Sequence, residues 1–150
     1  MSRPKPKPWY PKNPSKYIGD ATKIISRSSW ETRIFHFMDD NPGVLFWNSE
    51  EIEIPYYSSI DNKMHRYFPD VLAKMKTKSG IDKTYLIEVK PAKERFPPTT
   101  KNKKQFITEM CTYTVNQAKW KAAEEFCKSR GIEFLIVDEF DLGIKKRVTK

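Results

Sequence analysis

The chain has 150 residues, 38% hydrophobic and 13% aromatic, with 28 lysines and arginines against 19 acidic residues. That is one domain's worth of chain with enough apolar material for a core, which excludes a disordered polyelectrolyte. No apolar run approaches a membrane span and the basic, proline-rich start lacks a signal-peptide core, so no membrane partner is expected.

The net charge of +9 is concentrated at the two ends. Residues 1–17 hold Arg3, Lys5, Lys7, Lys12 and Lys16 with no acid; residues 143–150 hold Lys145, Lys146, Arg147 and Lys150 with none. Those residues account for the whole excess, leaving a neutral body between polycation-like ends whose natural partner is a polyanion. Residues 1–16, with prolines at 4, 6, 8, 11 and 14, read as a flexible basic arm of extended chain. Residues 17–142 read as a single domain and 143–150 as a basic tail.

Ser28-Ser29-Trp30-Glu31 is a capping box and opens a first helix, with Trp30, Ile34, Phe37 and Met38 on one face. Asp39-Asp40-Asn41-Pro42-Gly43 ends it. Val44–Trp47 and the alternating Ile52, Ile54 and Tyr56 form either a strand pair or one bent strand broken near Asn48. Arg66–Lys76 and Tyr85–Lys90 are further strands, the second stopped by Pro91. Helix then dominates to Arg130, as one long helix or as two divided at Thr114-Val115-Asn116-Gln117, with Gly131 as the stop. Ile132–Val137 is an almost wholly apolar run, expected to be a strand buried on both faces. The order helix, three strands, helix, strand gives an α/β fold, αβββαβ on a mixed central sheet.

Chemistry concentrates on two strands. Side chains alternate along a strand, so Asp70 shares a face with Phe68 and Leu72, and Glu88 with Leu86 and Lys90. Pairing the strands brings Asp70 and Glu88 together. Two carboxylates about 5 Å apart repel by roughly 3 kcal/mol at an effective dielectric near 20, a cost that a divalent cation turns into a binding site. Cys111 and Cys127, about 24 Å apart along a continuous helix, are too distant for a disulfide and lack the company of a zinc site. No disulfide-linked partner is expected, and His36 and His65 are isolated.

Pro69-Asp70 and Glu88-Val89-Lys90 on adjacent strands of an αβββαβ order resemble the PD-(D/E)xK, or restriction-endonuclease-like, superfamily. More specifically, the chain resembles the head-completion nucleases of T-even-type tailed phages. The matching run is Lys16–Asp20, Ile25–Glu31, Ser49-Glu50-Glu51, Ile54-Pro55-Tyr56, Tyr67–Asp70 and Ile87–Pro91. TnsA-like transposase nucleases share the broad pattern less closely.

The resemblance implies a metal-dependent DNA endonuclease acting in head completion after packaging. Mg2+ (with Mn2+ able to substitute) would be held by Asp70, Glu88 and the Val89 carbonyl, with Glu31 as a further ligand competing with its role as a cap. Lys90 would hold the attacking water. Arg27 and the loop residues Lys93, Arg95, Lys101, Lys103 and Lys104 are candidate DNA contacts, and Gln117 is an auxiliary residue. Implied partners are DNA and phage portal or neck proteins; the implied location is the host-cell cytoplasm during assembly, or the virion. Two other readings stand beside this one: a DNA-binding structural virion or neck protein with a vestigial site, and a Holliday-junction resolvase of similar fold.

Overall fold

The computed structural model describes residues 5–144. Its elements are β1 (Lys7–Pro8), β2 (Ile25–Ser26), α1 (Ser29–Asp40), β3 (Val44–Asn48), β4 (Ile54–Ser58), β5 (Lys63–Tyr67), β6 (Val71–Lys76), β7 (Asp82–Val89), α2 (Lys103–Lys128) and β8 (Glu133–Val137). The central sheet has the order β3-β6-β7-β8. β6 is antiparallel to both β3 and β7, and β7 is parallel to β8, the return that a crossover through α2 makes possible. The sequence α1, β3, β6, β7, α2, β8 is the expected αβββαβ core on a mixed sheet. β4 and β5 pair with each other as a separate hairpin.

Strand alternation divides the core in two. Trp47, Val71, Ala73 and Ile87 pack with Ile34, Phe35 and Met38 of α1. Leu86, on the other face, packs with Ile54, Tyr56 and Tyr67 of the hairpin and with Trp120, Ala123 and Cys127 of α2. Glu88 follows Leu86 by two residues and so belongs to the α2 face, at the end of the strand.

Several expectations change. α1 buries Phe35, at 0% exposure, and leaves Phe37 48% exposed; the inward face runs through Glu31, Ile34, Phe35 and Met38. The stretch expected as one strand over Arg66–Lys76 is two, because Phe68-Pro69-Asp70 forms a corner between the hairpin and the central sheet. Val44–Trp47 and the strand that begins at Ile54, with Ile52 ahead of it, likewise belong to different sheets. α2 is one helix: the Thr114 hydroxyl donates to the Met110 carbonyl 2.8 Å away instead of capping a new start. β8 is an edge strand, half-buried from Phe134 to Val137 and not enclosed on both faces, because nothing pairs beyond it among the described residues.

Residues 5–16, expected as a free arm, are docked. β1 pairs with β2, and the Trp9 ring meets Phe35 at 5.5 Å and Trp47 at 5.8 Å. The buried Asp39 carboxylate accepts from the backbone amides of Lys12 and Asn13 at 2.8 and 3.0 Å. An apolar ring and two amides supply the binding energy that a proline-lysine composition conceals. The basic tail from residue 145, like residues 1–4, lies outside the described residues. Both cysteines are free. Cys127 is buried in the second core, and that burial pushes its thiol up to about 11.

Candidate active site

Asp70 stands at the corner that Pro69, fully buried, anchors to the core. The last paired residues of β6 and β7 are Val71 and Ile87, so the next step places Asp70 opposite Glu88. Asp70 Oδ2 accepts from the Val89 amide at 2.7 Å. Burial, then the charge and hydrogen bond of Glu88, hold the Asp70 carboxyl well above the ordinary carboxylate range. Glu88, 5% exposed, is also raised, chiefly by burial, against the opposing pull of Asp70, Lys90, Tyr67 and Lys119. Lys90 continues the strand, its amide donating to the Val137 carbonyl at 3.0 Å, and its charge acts on both acids.

Glu31 does part of the capping expected of it. Its amide donates to Ser28 Oγ at 3.1 Å, closing one half of the box. Its carboxylate accepts two long bonds, from the Arg27 amide and the Ser28 hydroxyl, each at 3.4 Å. The side chain is 8% exposed, and burial, followed by the Asp70 charge, lifts its pKa to about 7. A helix cap serving only its helix would be satisfied by good backbone bonds in solvent; Glu31 is turned toward other acids.

The fourth acid is Glu50, which the strand motif does not single out although it lies within a matching run. One carboxylate oxygen each from Glu31, Glu50 and Asp70 lie within 4.8 Å of one another. Glu50 follows β3 and adopts a left-handed conformation, φ 54°, uncommon without glycine. Tyr17 fixes that turn: its hydroxyl donates to the Ser49 carbonyl at 3.2 Å and accepts from the Ser49 amide at 3.1 Å. Arg27 grips Glu50 with two bonds, 2.7 Å from Nε and 3.1 Å from an η nitrogen. Arg27 is thus at the site, paired to an acid.

Glu50, Asp70 and Glu88 open into a cleft of about 510 Å³ that is also lined by Arg27, Arg66, Tyr67, Phe68 and Lys119. Lys119 is invisible in the sequence because only the register of α2 turns it toward Glu88. Its ammonium sits 5.8 Å from the Tyr56 ring centroid and 5.6 Å from that of Tyr67. Burial and the nearby Lys90 charge lower its pKa. The Tyr67 hydroxyl is buried beside Glu88, and burial raises its pKa strongly.

The other candidates lie elsewhere. Gln117, two residues before Lys119, is exposed and lines a separate hollow with Arg95 and Lys121. Arg95 pairs with Asp138 at 3.4 Å. Lys93, Lys101, Lys103 and Lys104 are exposed along the loop and the start of α2.

The donor set fits a hard divalent cation. Carboxylate oxygens are its preferred ligands, and several acids raised by burial and mutual repulsion carry a cost that such an ion would remove. A family model described as TnsA-like endonuclease N terminal matches residues 41–139. The head completion nuclease of Enterobacteria phage T4 is 45% identical over 137 residues, spanning 87% of this chain and 89% of that protein.

Proposed function

Because the chain belongs to the TnsA-like endonuclease family, and is similar over most of its length to a head completion nuclease, we infer that it is an endonuclease of phage head completion that hydrolyses phosphodiester bonds of DNA with a divalent cation, magnesium by the chemistry of its ligands. The observation that carries the reading is the convergence of Glu31, Glu50, Asp70 and Glu88 beside Lys90 and Lys119 at one end of the sheet.

Asp70, Glu88 and the Val89 carbonyl would hold the cation, and Glu31 and Glu50, clustered with Asp70, would complete its surroundings. The bound ion supplies Lewis acidity and a more acidic water. Asp70 is oriented for this by the Val89 amide, which fixes one oxygen and leaves the other to the cleft. Lys90 orients the attacking water or offsets charge that develops on the phosphate. Lys119, held over two tyrosine rings, offers a second ammonium on the α2 side. Arg27 keeps Glu50 in place and presents the rest of its guanidinium to the approaching strand. Lys93, Arg95, Lys101, Lys103 and Lys104, with the basic ends of the chain, contact flanking phosphates; portal or neck proteins are the partners that head completion implies.

Incubating the pure protein with linear, circular and branched DNA, in magnesium and in EDTA, tests this. Cleavage that starts with magnesium and stops with chelator is expected. Undiminished cleavage in excess chelator contradicts it.

A further inference from the structure

The Val89 amide fixes the Asp70 carboxylate, but no backbone group bonds the Glu88 carboxylate among the described residues. Side chains act on it instead: Asp70 and Tyr67 as hydrogen-bonding groups, Lys90 and Lys119 as charges. Asp70 is itself an acid and repels Glu88 when both are ionised. Of the four, Tyr67 alone is a neutral hydroxyl donor. It comes from the β4–β5 hairpin, outside the αβββαβ core.

Tyr67 ends β5, opposite Ile54 in the register of the hairpin. Its ring packs in the second core with Ile54, Tyr56, Leu86 and Trp120, and Leu86 precedes Glu88 by two residues on the same strand face. Tyr67 is 4% exposed, and its hydroxyl has essentially no accessible surface and no hydrogen-bond partner among the described residues. A phenol so enclosed cannot meet a DNA strand. It acts only on what is walled in beside it, and the Glu88 charge bears on it most strongly, ahead of that of Asp70. An unmade bond at a buried hydroxyl is costly, and the cost disappears when a carboxylate oxygen turns to accept from it. The Lys119 ammonium lies 5.6 Å from the centroid of the Tyr67 ring. A cation over the ring draws electron density from the phenol and strengthens its hydroxyl as a donor.

We propose that Tyr67 is a positioning residue of the nuclease site: with the cation bound, its hydroxyl donates to one oxygen of Glu88 and so turns the other toward the ion. In the empty site Glu88 leans on Asp70, which leaves the phenol unpaired. A cation between the two acids takes up the oxygen that Glu88 otherwise turns to Asp70, and the phenol becomes its remaining neutral donor. The hairpin thereby supports Glu88 as the Val89 amide supports Asp70. The proposal rests on the nuclease reading above.

Tyr67→Phe tests it, because it keeps the ring, its packing and the Lys119 contact and removes only the hydroxyl. In EDTA the variant is expected to melt at or above the parent temperature, since no bond is lost there and an unpaired polar group has gone. Its affinity for magnesium, measured by calorimetry without DNA, should fall about tenfold, the scale on which a hydrogen-bond partner of a metal ligand acts. Tyr56→Phe is the comparison: the Lys119 ammonium is 5.8 Å from that ring too, but the charge acting on its hydroxyl is that of Asp61. It should change the affinity by less than about twofold. An unchanged affinity in folded Tyr67→Phe, an equal loss in Tyr56→Phe, or a lower melting temperature of Tyr67→Phe in EDTA overturns the proposal. Failure of Tyr67→Phe to fold counts with the last, since the hydroxyl would then already be bonded in the empty site. A parent that neither binds magnesium nor cuts DNA removes the nuclease reading itself; equal binding by the parent and Tyr67→Phe removes this inference alone.

Discussion

The Asp70 carboxylate accepts a hydrogen bond from the Val89 amide at 2.7 Å, one step beyond the last paired residues of β6 and β7. A side chain thus continues the ladder where the backbone of β6 turns away at the Phe68-Pro69-Asp70 corner. The bond fixes Asp70 beside Glu88 despite their repulsion, because the amide would otherwise be left unsatisfied near the core. A cation held by Asp70 would thereby be coupled to strand pairing through this one contact.

Glu31→Gln separates capping from chemistry. Glutamine keeps one oxygen for the long bond from the Arg27 amide, turns its amide nitrogen toward the Ser28 hydroxyl, and carries no charge. In the folded protein Glu31 titrates at about 7 rather than 4.5, so the fold favours its protonated form. Its stabilising effect is full below about pH 4.5 and is lost as pH rises through 7. Without metal, Glu31→Gln should therefore melt above the parent at about pH 8, by of order 2–3 kcal/mol, and match it at about pH 4. Cleavage should fall severely. Thermal melts at the two pH values, with and without magnesium, check both halves.

Lys119→Met keeps the methylene stem against Tyr56 and Tyr67 and removes the ammonium. The expected result is a cooperative melt within about 1 kcal/mol of the parent and a rate lower by roughly 10²-fold. Lys119→Arg should recover part of the rate, since it restores a cation over the same rings. Single-turnover kinetics at saturating DNA distinguish this from weaker binding.

Much of the candidate site is legible in the sequence. Asp70, Glu88 and Lys90 lie in or beside short strands whose alternation fixes their faces, and Glu31 follows a recognisable helix start. Glu50 is hidden because its position depends on a left-handed turn beside Ser49, which Tyr17 holds from 32 residues away in the chain. Lys119 is hidden because α2 has a weak apolar stripe, so its face cannot be assigned from spacing. The N-terminal segment misleads for a different reason: composition reports average propensity, whereas one Trp9 ring and two amides bound by Asp39 decide where the segment lies.

Trp9→Ala tests that docking. The ring is half-buried against Phe35, His36 and Trp47, so its loss should destabilise by about 2 kcal/mol, below the roughly 3–5 kcal/mol typical of a fully buried tryptophan. Residues 5–16 should become protease-sensitive while the rest of the domain stays protected. Limited proteolysis followed by mass spectrometry reads this directly.

The most direct test of the central claim is the cleavage rate of Asp70→Asn, measured with its melting temperature. Asparagine keeps an oxygen for the Val89 amide and removes the charge that faces Glu31, Glu50 and Glu88. Without metal, the variant should melt at or above the parent, because a repulsive buried charge has gone. In magnesium its cleavage should fall by at least about 10²-fold. A folded Asp70→Asn protein that cuts DNA at the parental rate would contradict the assignment of this acid cluster as the nuclease site.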